Sequence, residues 1–358
     1  MYVSELDTPA LVVDLDLMER NIKDMSDFCK SYDMNIRPHL KPTKIPAIAH
    51  KLLESGAKGI CCQKVGEAEV MVRAGIKDIL IPYNIVGERK LERLIRLVKQ
   101  CDLTVALDSE YTAKGISKQA EKDGCVVDVI VELFMGRTGV SSPEEVIELA
   151  KKIDVMPGLS FKGIMSYDPG ERDKEMKTRV TVDLLEKNGL PVNIVSGRPD
   201  IYPLGTKESA YHKLGLTEFR TGMYVLGAGK YYRFTRDKND PRKVYHADYC
   251  SLRVICTVVS RPTKDLAIID GGIKTFSVFR EAPYGFFIEH PKALMERMSV
   301  EHGHLDVSEC NKKPVVGERV TVVPNHPGIT LNLHDVLYGI RGNDVETIWP
   351  VEARGKVQ

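Results

Sequence analysis

Lys41 has the sequence setting of a nucleophilic amine. It lies within residues 37–44, just past a predicted strand and at the start of a predicted helix. An amine attacks a substrate only in its neutral form, which desolvation and nearby cations favour. Arg37, Lys44 and a charged His39 are the cations expected there. Lys41 is therefore a candidate for covalent catalysis, although most lysines in proteins have no such role.

Histidines suggest a second kind of chemistry, metal binding. His302 and His304 are two residues apart, and on a strand two such imidazoles project from one face and can ligate a metal. His334 is instead interpreted as a structural residue that bonds to the backbone of its own turn. A metal at the pair and a structural role for it are both left open.

Polar residues follow nearly every predicted strand in the first two thirds of the chain. In a parallel barrel the catalytic residues lie at the carboxyl ends of the strands, so these side chains are candidates for one shared site. Taken singly, each could equally be a helix cap or a solvated loop residue. In chain order they are His39 and Lys41, Gln63, Asn84, Asp108, Arg137, Tyr167 and Asp168, and Ser196 with Gly197.

Short β-branched segments that alternate with helical patterns predict the strands themselves. Nine are expected, at residues 10–14, 35–38, 59–63, 78–82, 103–107, 126–133, 160–165, 192–196 and 218–224. Residues 87–99 show the helical pattern between them, with apolar side chains at helical spacing and a charged opposite face. This alternation implies right-handed βαβ crossovers, and eight such units close into a (β/α)8 TIM barrel. One of the nine strands is therefore surplus.

The pattern changes after about residue 240. Apolar runs at residues 252–260, 266–270, 319–323 and 336–341 are separated by turn residues, without long helical patterns between them. Such a pattern predicts a second, antiparallel β domain. The polar segment 235–241 is the expected boundary. The predicted fold class is α/β, with a barrel over residues 10–240 and a β domain over residues 241–358.

Charge and composition exclude several classes of partner. The chain has 51 Lys+Arg against 50 Asp+Glu, a net charge of +1, so no global field favours nucleic acid, an anionic membrane or an acidic partner. No apolar run is long enough to span a bilayer and no signal peptide is recognisable, so a cytoplasmic location is expected. The eight irregularly spaced cysteines are interpreted as reduced and mostly buried. The expected partner is a small molecule at a local site.

Motifs spread in order along nearly the whole chain resemble one known family. They fall at residues 8–16, 37–44 (Arg-Pro-His-Leu-Lys-Pro-Thr-Lys), 59–69, 259–262, 301–303, 323–326, 330–335 and 349–355. They resemble the D-threonine aldolase and D-serine dehydratase family of pyridoxal-phosphate enzymes, whose barrel is similar to that of alanine racemases. The resemblance implies that Lys41 is the internal Schiff-base lysine. It also implies a homodimer, and that the amino-terminal strand joins the β domain, with residues 1–9 accompanying residues 241–358.

The same resemblance implies the other cofactor residues. Arg220 would face the pyridine nitrogen and disfavour its protonation, while backbone groups of Gly222 and Met223 hold the phosphate; the alternative for Arg220 is an ion pair at the barrel rim. Ser196 and Gly197 resemble the start of a phosphate-binding turn. The following Arg198 is either a phosphate ligand or a surface residue. The remaining cofactor candidates are His39, Gln63, Arg137 and Tyr167.

Three positions depart from the family pattern. The family binds a divalent metal through a histidine and, two residues on, an aspartate or cysteine; here His326 is followed at that spacing by Gly328. Phe134 stands in a turn where an aspartate is common. Asp168 stands where the family often has histidine, so Asp168 is either an acid–base group, a metal ligand together with His326, or a helix cap.

Three functions follow from these patterns. The first is a lyase that acts on a D-configured β-hydroxy amino acid, by retro-aldol cleavage or by dehydration, with Lys41, Tyr167, Asp168 and His326 as catalytic candidates. The second is an amino-acid racemase or epimerase, which needs Lys41 and a second base such as Tyr167, Asp168, His302 or Tyr249, but no metal. The third is a protein that only stores the cofactor, which a large second domain argues against.

Overall fold

The computed structural model describes residues 1–167, 172–197, 215–227, 235–237 and 239–358. The strands are β1 (Ala10–Asp14), β2 (Asn35–Ile36), β3 (Ile60–Cys61), β4 (Asp78–Ile81), β5 (Asp102–Leu107), β6 (Val127–Glu132), β7 (Leu159–Met165), β8 (Ile194–Gly197), β9 (Glu218–Phe219), β10 (Thr235–Arg236), β11 (Val244–Tyr245), β12 (Leu252–Thr263), β13 (Leu266–Ile269), β14 (Gly285–Phe287), β15 (Leu294–Met298), β16 (Gly303–Asp306), β17 (Arg319–Pro324), β18 (Val336–Arg341) and β19 (Asp344–Pro350). The helices are α1 (Leu15–Ser31), α2 (Pro46–Glu54), α3 (Val65–Arg73), α4 (Glu88–Val98), α5 (Glu110–Lys122), α6 (Pro143–Asp154), α7 (Arg172–Lys187) and α8 (Pro327–Leu331).

Contacts divide the chain into two compact units. The barrel unit comprises Ser26–Lys41, Pro46–Gly222 and Gly355–Gln358, and the β unit comprises Met1–Met25, Pro42–Ile45 and Met223–Arg354. The division differs from the predicted spans of 10–240 and 241–358, since it falls at Gly222 and assigns β1 to the β unit. The physical reason is pairing: Leu252 N donates to Leu226 O, so the chain already belongs to the β unit well before residue 240.

Eight parallel strands form the sheet of the barrel unit, in the order β2-β9-β8-β7-β6-β5-β4-β3. Just past β2, His39 forms a parallel bridge with Cys61 of β3. Leu40 N donates to Cys61 O and Cys61 N donates to Pro38 O, both at 2.8 Å. These bonds join β2 to β3, the two strands at opposite ends of the sheet order. They close the sheet, and the predicted (β/α)8 barrel is confirmed.

The helices between these strands begin and end where the sequence provides the required groups. At α6, the Ser142 side chain accepts from Glu145 N while the Glu145 carboxylate accepts from Ser142 N, with Pro143 in the first helical position. α4 buries Leu94, Ile95 and Leu97 and exposes its charged face, as its periodicity predicts. Helices of this kind cover the outside of the parallel strands.

β1 belongs to the sheet of the β unit, as the family resemblance implied. It pairs antiparallel with β12 and parallel with β18, in a sheet ordered β15-β16-β13-β12-β1-β18-β19. In addition, β17 pairs with β12, and β14 pairs with β17. The surplus strand is thereby explained. Among the described residues no helix has both the length and the apolar character needed to span a bilayer. All eight cysteines lie within the described residues, where they are free and six are buried.

A buried ion network stabilises the amino-terminal end of the barrel. Arg37 Nε donates to Glu218 Oε2 at 2.9 Å, and Arg37 Nη1 donates to Asp78 Oδ1 at 2.5 Å. The side chains of Arg37 and Glu218 are 3% and 1% exposed. Arg37 follows β2 while Glu218 and Asp78 begin β9 and β4, so one guanidinium connects strands on both sides of the closure. Removal of one member would leave a buried charge without its partner.

We predict that Arg37→Ala lowers the free energy of unfolding by about 3–5 kcal/mol, the usual cost of breaking a buried pair from one side. Urea denaturation followed by circular dichroism measures it. Arg93→Ala is the matched control, because Arg93 also donates two hydrogen bonds to carboxylate oxygens, both of Glu69. Its side chain and that of Glu69 are each more than a quarter exposed. Its loss is expected to cost about 0–1 kcal/mol. Equal losses for the two variants would contradict this role of Arg37.

Candidate active site

Lys41 is exposed where the extension of β2 reaches the carboxyl end of the barrel, which we call the barrel mouth. Its backbone N donates to His39 Nδ1 at 3.3 Å. Because Nδ1 accepts, the proton of a neutral His39 lies on Nε2, which is 2.9 Å from Gln63 Oε1. Gln63 Nε2 in turn donates to Pro82 O. His39 and Gln63, both predicted cofactor residues, therefore hold each other and the backbone of Lys41.

Arg220 is buried at the same mouth, directly after β9. Its Nη1 donates to Ser196 Oγ at 2.6 Å and to Ser196 O at 3.1 Å, and its Nη2 donates to Ser166 O at 3.1 Å. The side chain is 3% exposed. The guanidinium thus bridges the ends of β7, β8 and β9. These bonds go to neutral oxygen atoms, and both predicted roles of Arg220, cofactor contact and rim ion pair, stay predictions.

Gly197 and Gly222 are required by close packing. A Cβ at Gly197 would lie 2.7 Å from the Leu216 side chain, and a Cβ at Gly222 would lie 2.0 Å from His39 O. Any side chain at Gly222 would force β9 away from the β2 extension. Their predicted part in holding a phosphate stays a prediction beside this packing role.

Arg137 and Tyr167 lie together, as two residues of one site should. The guanidinium carbon of Arg137 is 4.9 Å from the centre of the Tyr167 ring. Arg137 Nη2 also approaches Glu132 Oε1 at 3.5 Å, and Thr138 Oγ1 donates to Glu132 Oε2 at 2.8 Å. Burial raises the pKa of Glu132, against the influence of Thr138 and Arg137. The sequence analysis did not single out Glu132; the available signal was a carboxylate at the carboxyl end of a strand whose preceding three residues, Val129–Val131, are apolar and buried.

Two other predicted mouth residues serve the turn that carries Arg137. Asn84 Oδ1 accepts from Asp108 N at 3.1 Å, and Asp108 Oδ2 accepts from Gly139 N at 3.0 Å. Gly139 has φ of 118°, which favours glycine, and a Cβ there would lie 2.4 Å from the Leu133 backbone. Asn84 and Asp108 are therefore turn anchors, the structural alternative considered for single residues of this set.

Lys64 and Tyr83 add a further contact at the mouth that the sequence did not reveal. Lys64 Nζ lies 3.6 Å from the centre of the Tyr83 ring. Its hydrogen bond and charge lower the pKa of Tyr83.

Of the remaining predicted residues, Asp168 and Arg198 lie outside the described residues.

Gly328 of α8 packs closely against two residues of the β unit, Pro42 and Met223. A Cβ at Gly328 would lie 3.0 Å from Pro42 Cβ and 3.3 Å from Met223 Sδ. Pro42 directly follows Lys41, and Met223 directly follows Gly222. The absence of a side chain at residue 328 therefore lets α8 pack on the continuations of β2 and β9. Met223, predicted to hold a phosphate through its backbone, takes part in this packing.

His326 begins α8 and serves as its N-cap. Its Nδ1 accepts from Ile329 N at 3.1 Å, and its ring packs edge-on against Phe279 with centroids 5.2 Å apart. His334 Nε2 donates to Thr275 O at 3.1 Å, so its side chain bonds to the backbone, but not to that of its own turn as predicted. Burial lowers the pKa of His334.

The metal that the family resemblance implies does not fit the residues present. Gly328 offers no side-chain ligand at the second position, and Nδ1 of His326 is engaged by the backbone of α8. Within the ranges that the structure describes, no group of three or more His, Cys, Asp or Glu side chains could hold a metal ion. The pair His302 and His304 belongs to no such group either.

Comparison with known proteins places this arrangement in a family. The alanine racemase N-terminal domain model matches residues 13–193, and the D-serine dehydratase domain model matches residues 251–340. The 3-hydroxy-D-aspartate aldolase of Paracoccus denitrificans (strain Pd 1222) is 34% identical over 99% of this chain and 94% of its own length. The chain belongs to the D-threonine aldolase and D-serine dehydratase family.

Further members of the family agree with this assignment. The D-threonine aldolase of Arthrobacter sp is 32% identical over 99% of this chain and 94% of its own length. The crystal structure of D-threonine aldolase from Filomicrobium marinum superposes with a TM-score of 0.85 at 32% identity, covering 100% of this chain and 98% of that one. Family membership implies pyridoxal phosphate.

The donor set at the barrel mouth fits that cofactor. It offers an exposed amine at Lys41, a buried guanidinium at Arg220, a second guanidinium and a phenol at Arg137 and Tyr167, and the Ser196 hydroxyl. An aldehyde needs the amine, and an anionic phosphate and ring oxygen need the cations and hydroxyl donors. The chemistry of these groups is therefore matched to pyridoxal phosphate, whereas the position of Gly328 is not matched to a metal.

We predict that Gly328→Ala weakens the binding of pyridoxal phosphate by about tenfold, because the added methyl group displaces Pro42 and with it the backbone of Lys41. Titration of the apoprotein, followed by absorbance, gives the dissociation constant. Gly115→Ala is the control, since a Cβ there makes an ordinary contact 3.4 Å from Leu91 Cδ1. Unchanged affinity in Gly328→Ala would show that this packing does not position Lys41.

Proposed function

We propose that the protein is a pyridoxal-phosphate-dependent lyase acting on a D-configured β-hydroxy amino acid, by retro-aldol cleavage to glycine and an aldehyde or by dehydration to a keto acid. The observation that carries the proposal is the convergence of Lys41, Arg220, Arg137 and Tyr167 at the mouth of a barrel. Relatives of 34% and 32% identity, named 3-hydroxy-D-aspartate aldolase and D-threonine aldolase, support it. A homodimer and a cytoplasmic location belong to the same proposal.

Four residues would hold the cofactor. Lys41 would bind it covalently through Nζ, Arg220 would contact the ring nitrogen, Arg137 the ring oxygen, and Ser196 the phosphate. When bound, pyridoxal phosphate delocalises the negative charge that develops on the substrate carbon. Arg220 cannot accept a proton, so it keeps the ring nitrogen unprotonated and restrains side reactions. Its bonds to Ser196 and Ser166 fix this charge in place.

Lys41 and Tyr167 are the proposed proton-transfer groups. A substrate that displaces the Lys41 amine frees Nζ to take or give a proton at the α-carbon. The Tyr167 hydroxyl is the candidate for the β-hydroxyl, where a proton must leave in cleavage or be supplied in dehydration. Asp168, which follows in the chain, is a further candidate for this position. His326, the N-cap of α8, stays a catalytic candidate on the family resemblance alone.

The glycine at residue 328 favours a second candidate function. A racemase or epimerase needs a base on each face of the α-carbon and no metal, so the missing ligand suits it. The family match covers both units of the chain, including the D-serine dehydratase domain, and this coverage favours the lyase. The two functions differ in whether a bond other than that to the α-proton is broken.

A panel of D- and L-forms of threonine, serine, 3-hydroxyaspartate and alanine distinguishes the candidates. With pyridoxal phosphate added, we expect an aldehyde or a keto acid from D-β-hydroxy amino acids only. Activity should survive dialysis against EDTA, because the part of the chain that the structure describes offers no complete metal site. Lys41→Ala should lower kcat by about a thousandfold, within the range of acid–base contributions alone. Lys58→Ala, at the opposite end of the barrel, should behave as wild type.

Two results would contradict this reading. Exchange of the α-proton for deuterium with racemisation, and without aldehyde or keto acid, would assign the racemase. Loss of activity on chelation, restored by manganese or zinc, would show that another ligand completes a metal site beside His326.

A further inference from the structure

The turn after β6 connects a buried carboxylate with an exposed guanidinium. Glu132 is the last residue of β6 and is 3% exposed, whereas the Arg137 side chain is 53% exposed. Arg137 is five positions after Glu132 in the chain. The turn then folds back, so that Val140 N donates to Glu132 O at 2.8 Å. A carboxylate this deeply buried needs polar partners. Its partners in this turn are Thr138 Oγ1 at 2.8 Å and Arg137 Nη2 at 3.5 Å.

The position of Glu132 in the sheet brings it beside the other proposed cofactor residues. Glu132 is in register with Met165 of β7, and Leu133 N donates to Met165 O. Ser166, which accepts from Arg220, and Tyr167, which carries the Arg137 guanidinium over its ring, are the next two residues. Arg220 is also near enough to stabilise the Glu132 carboxylate electrostatically. Glu132 therefore contacts one proposed cofactor-binding cation, Arg137, and pairs with the strand whose end residue Ser166 accepts from the other, Arg220.

We propose that Glu132 is a positioning residue, which holds the Arg137 guanidinium over Tyr167 in the orientation needed to bind the cofactor. An exposed arginine loses considerable side-chain entropy when a ligand fixes it. A buried carboxylate at its base limits that loss in advance, and the pairing of opposite charges sets the direction in which the planar donors point. The inference rests on the proposed function, because it assumes that pyridoxal phosphate binds at the barrel mouth.

A simpler role for Glu132 would be to stabilise the turn through Thr138 alone. The two roles predict different consequences for Glu132→Gln. Glutamine keeps an oxygen that accepts from Thr138, but it loses the charge that attracts Arg137 and presents an amide donor instead. Thr138→Val removes only the turn bond. An effect of Glu132→Gln that exceeds that of Thr138→Val therefore belongs to the lost charge, and its dependence on Arg137 separates Arg137 from Arg220.

A double-mutant cycle tests the proposal. Pyridoxal phosphate is titrated into the apoprotein of wild type, Glu132→Gln, Arg137→Gln and the double variant, and absorbance gives each dissociation constant. We expect Glu132→Gln to weaken binding by about tenfold in the wild-type background and by less than about twofold in the Arg137→Gln background. Thr138→Val should weaken it by no more than about threefold. The thermal midpoints of the apoproteins, measured in parallel, separate binding from folding.

Several outcomes would overturn the proposal. Equal weakening by Glu132→Gln in both backgrounds would mean that it acts independently of Arg137, and unchanged affinity would mean that it does not act on the cofactor. If Glu132→Gln does not fold, Glu132→Asp replaces it, and Arg137-dependent weakening is again required. Failure of the wild type to bind would overturn the proposed function together with this inference, whereas normal wild-type binding with an additive cycle would overturn the inference alone.

Discussion

The backbone on either side of Lys41 is held by two close approaches, each made at a glycine. Two residues before it, the carbonyl of His39 lies where a side chain at Gly222 would begin. One residue after it, Pro42 lies against Gly328. Pro42–Ile45 also belongs to the β unit by its contacts, so Lys41 is the last residue of a barrel segment. The backbone of Lys41 is thus held by its own chain, and the bonded pair His39 and Gln63 lies directly beside it.

Part of this arrangement could be predicted from the sequence. The alternation of apolar runs located the nine strands β1–β9, and the family resemblance placed β1 in the other unit, where it pairs with β12 and β18. Strong periodicity survives tertiary context because it reflects burial directly. The strands β10, β11, β14, β15, β16 and β19 were missed. β14 has only three residues, and β19 alternates between exposed and half-buried positions, so neither shows an apolar run.

The individual roles at the mouth were less predictable. Asn84 and Asp108 have the residue types of a catalytic site but anchor the turn before Val140, and their partners are backbone groups that no side-chain pattern records. Glu132 was passed over because its partners come from the turn that follows it. Gly222 was assigned to phosphate binding, and the sequence did not reveal its close contact with His39, 183 residues earlier in the chain. This contact depends on the pairing of β2 with β9.

The central claim is that Lys41 is the amine that binds the cofactor, and reductive trapping tests it most directly. Borohydride reduces the imine between pyridoxal phosphate and its lysine to a stable amine, and mass spectrometry of the digested protein locates the modified residue. We predict one covalently attached pyridoxyl phosphate group per chain, on Lys41, and no attached group in Lys41→Ala. Modification of a different lysine in the wild type, or undiminished trapping in Lys41→Ala, would contradict it.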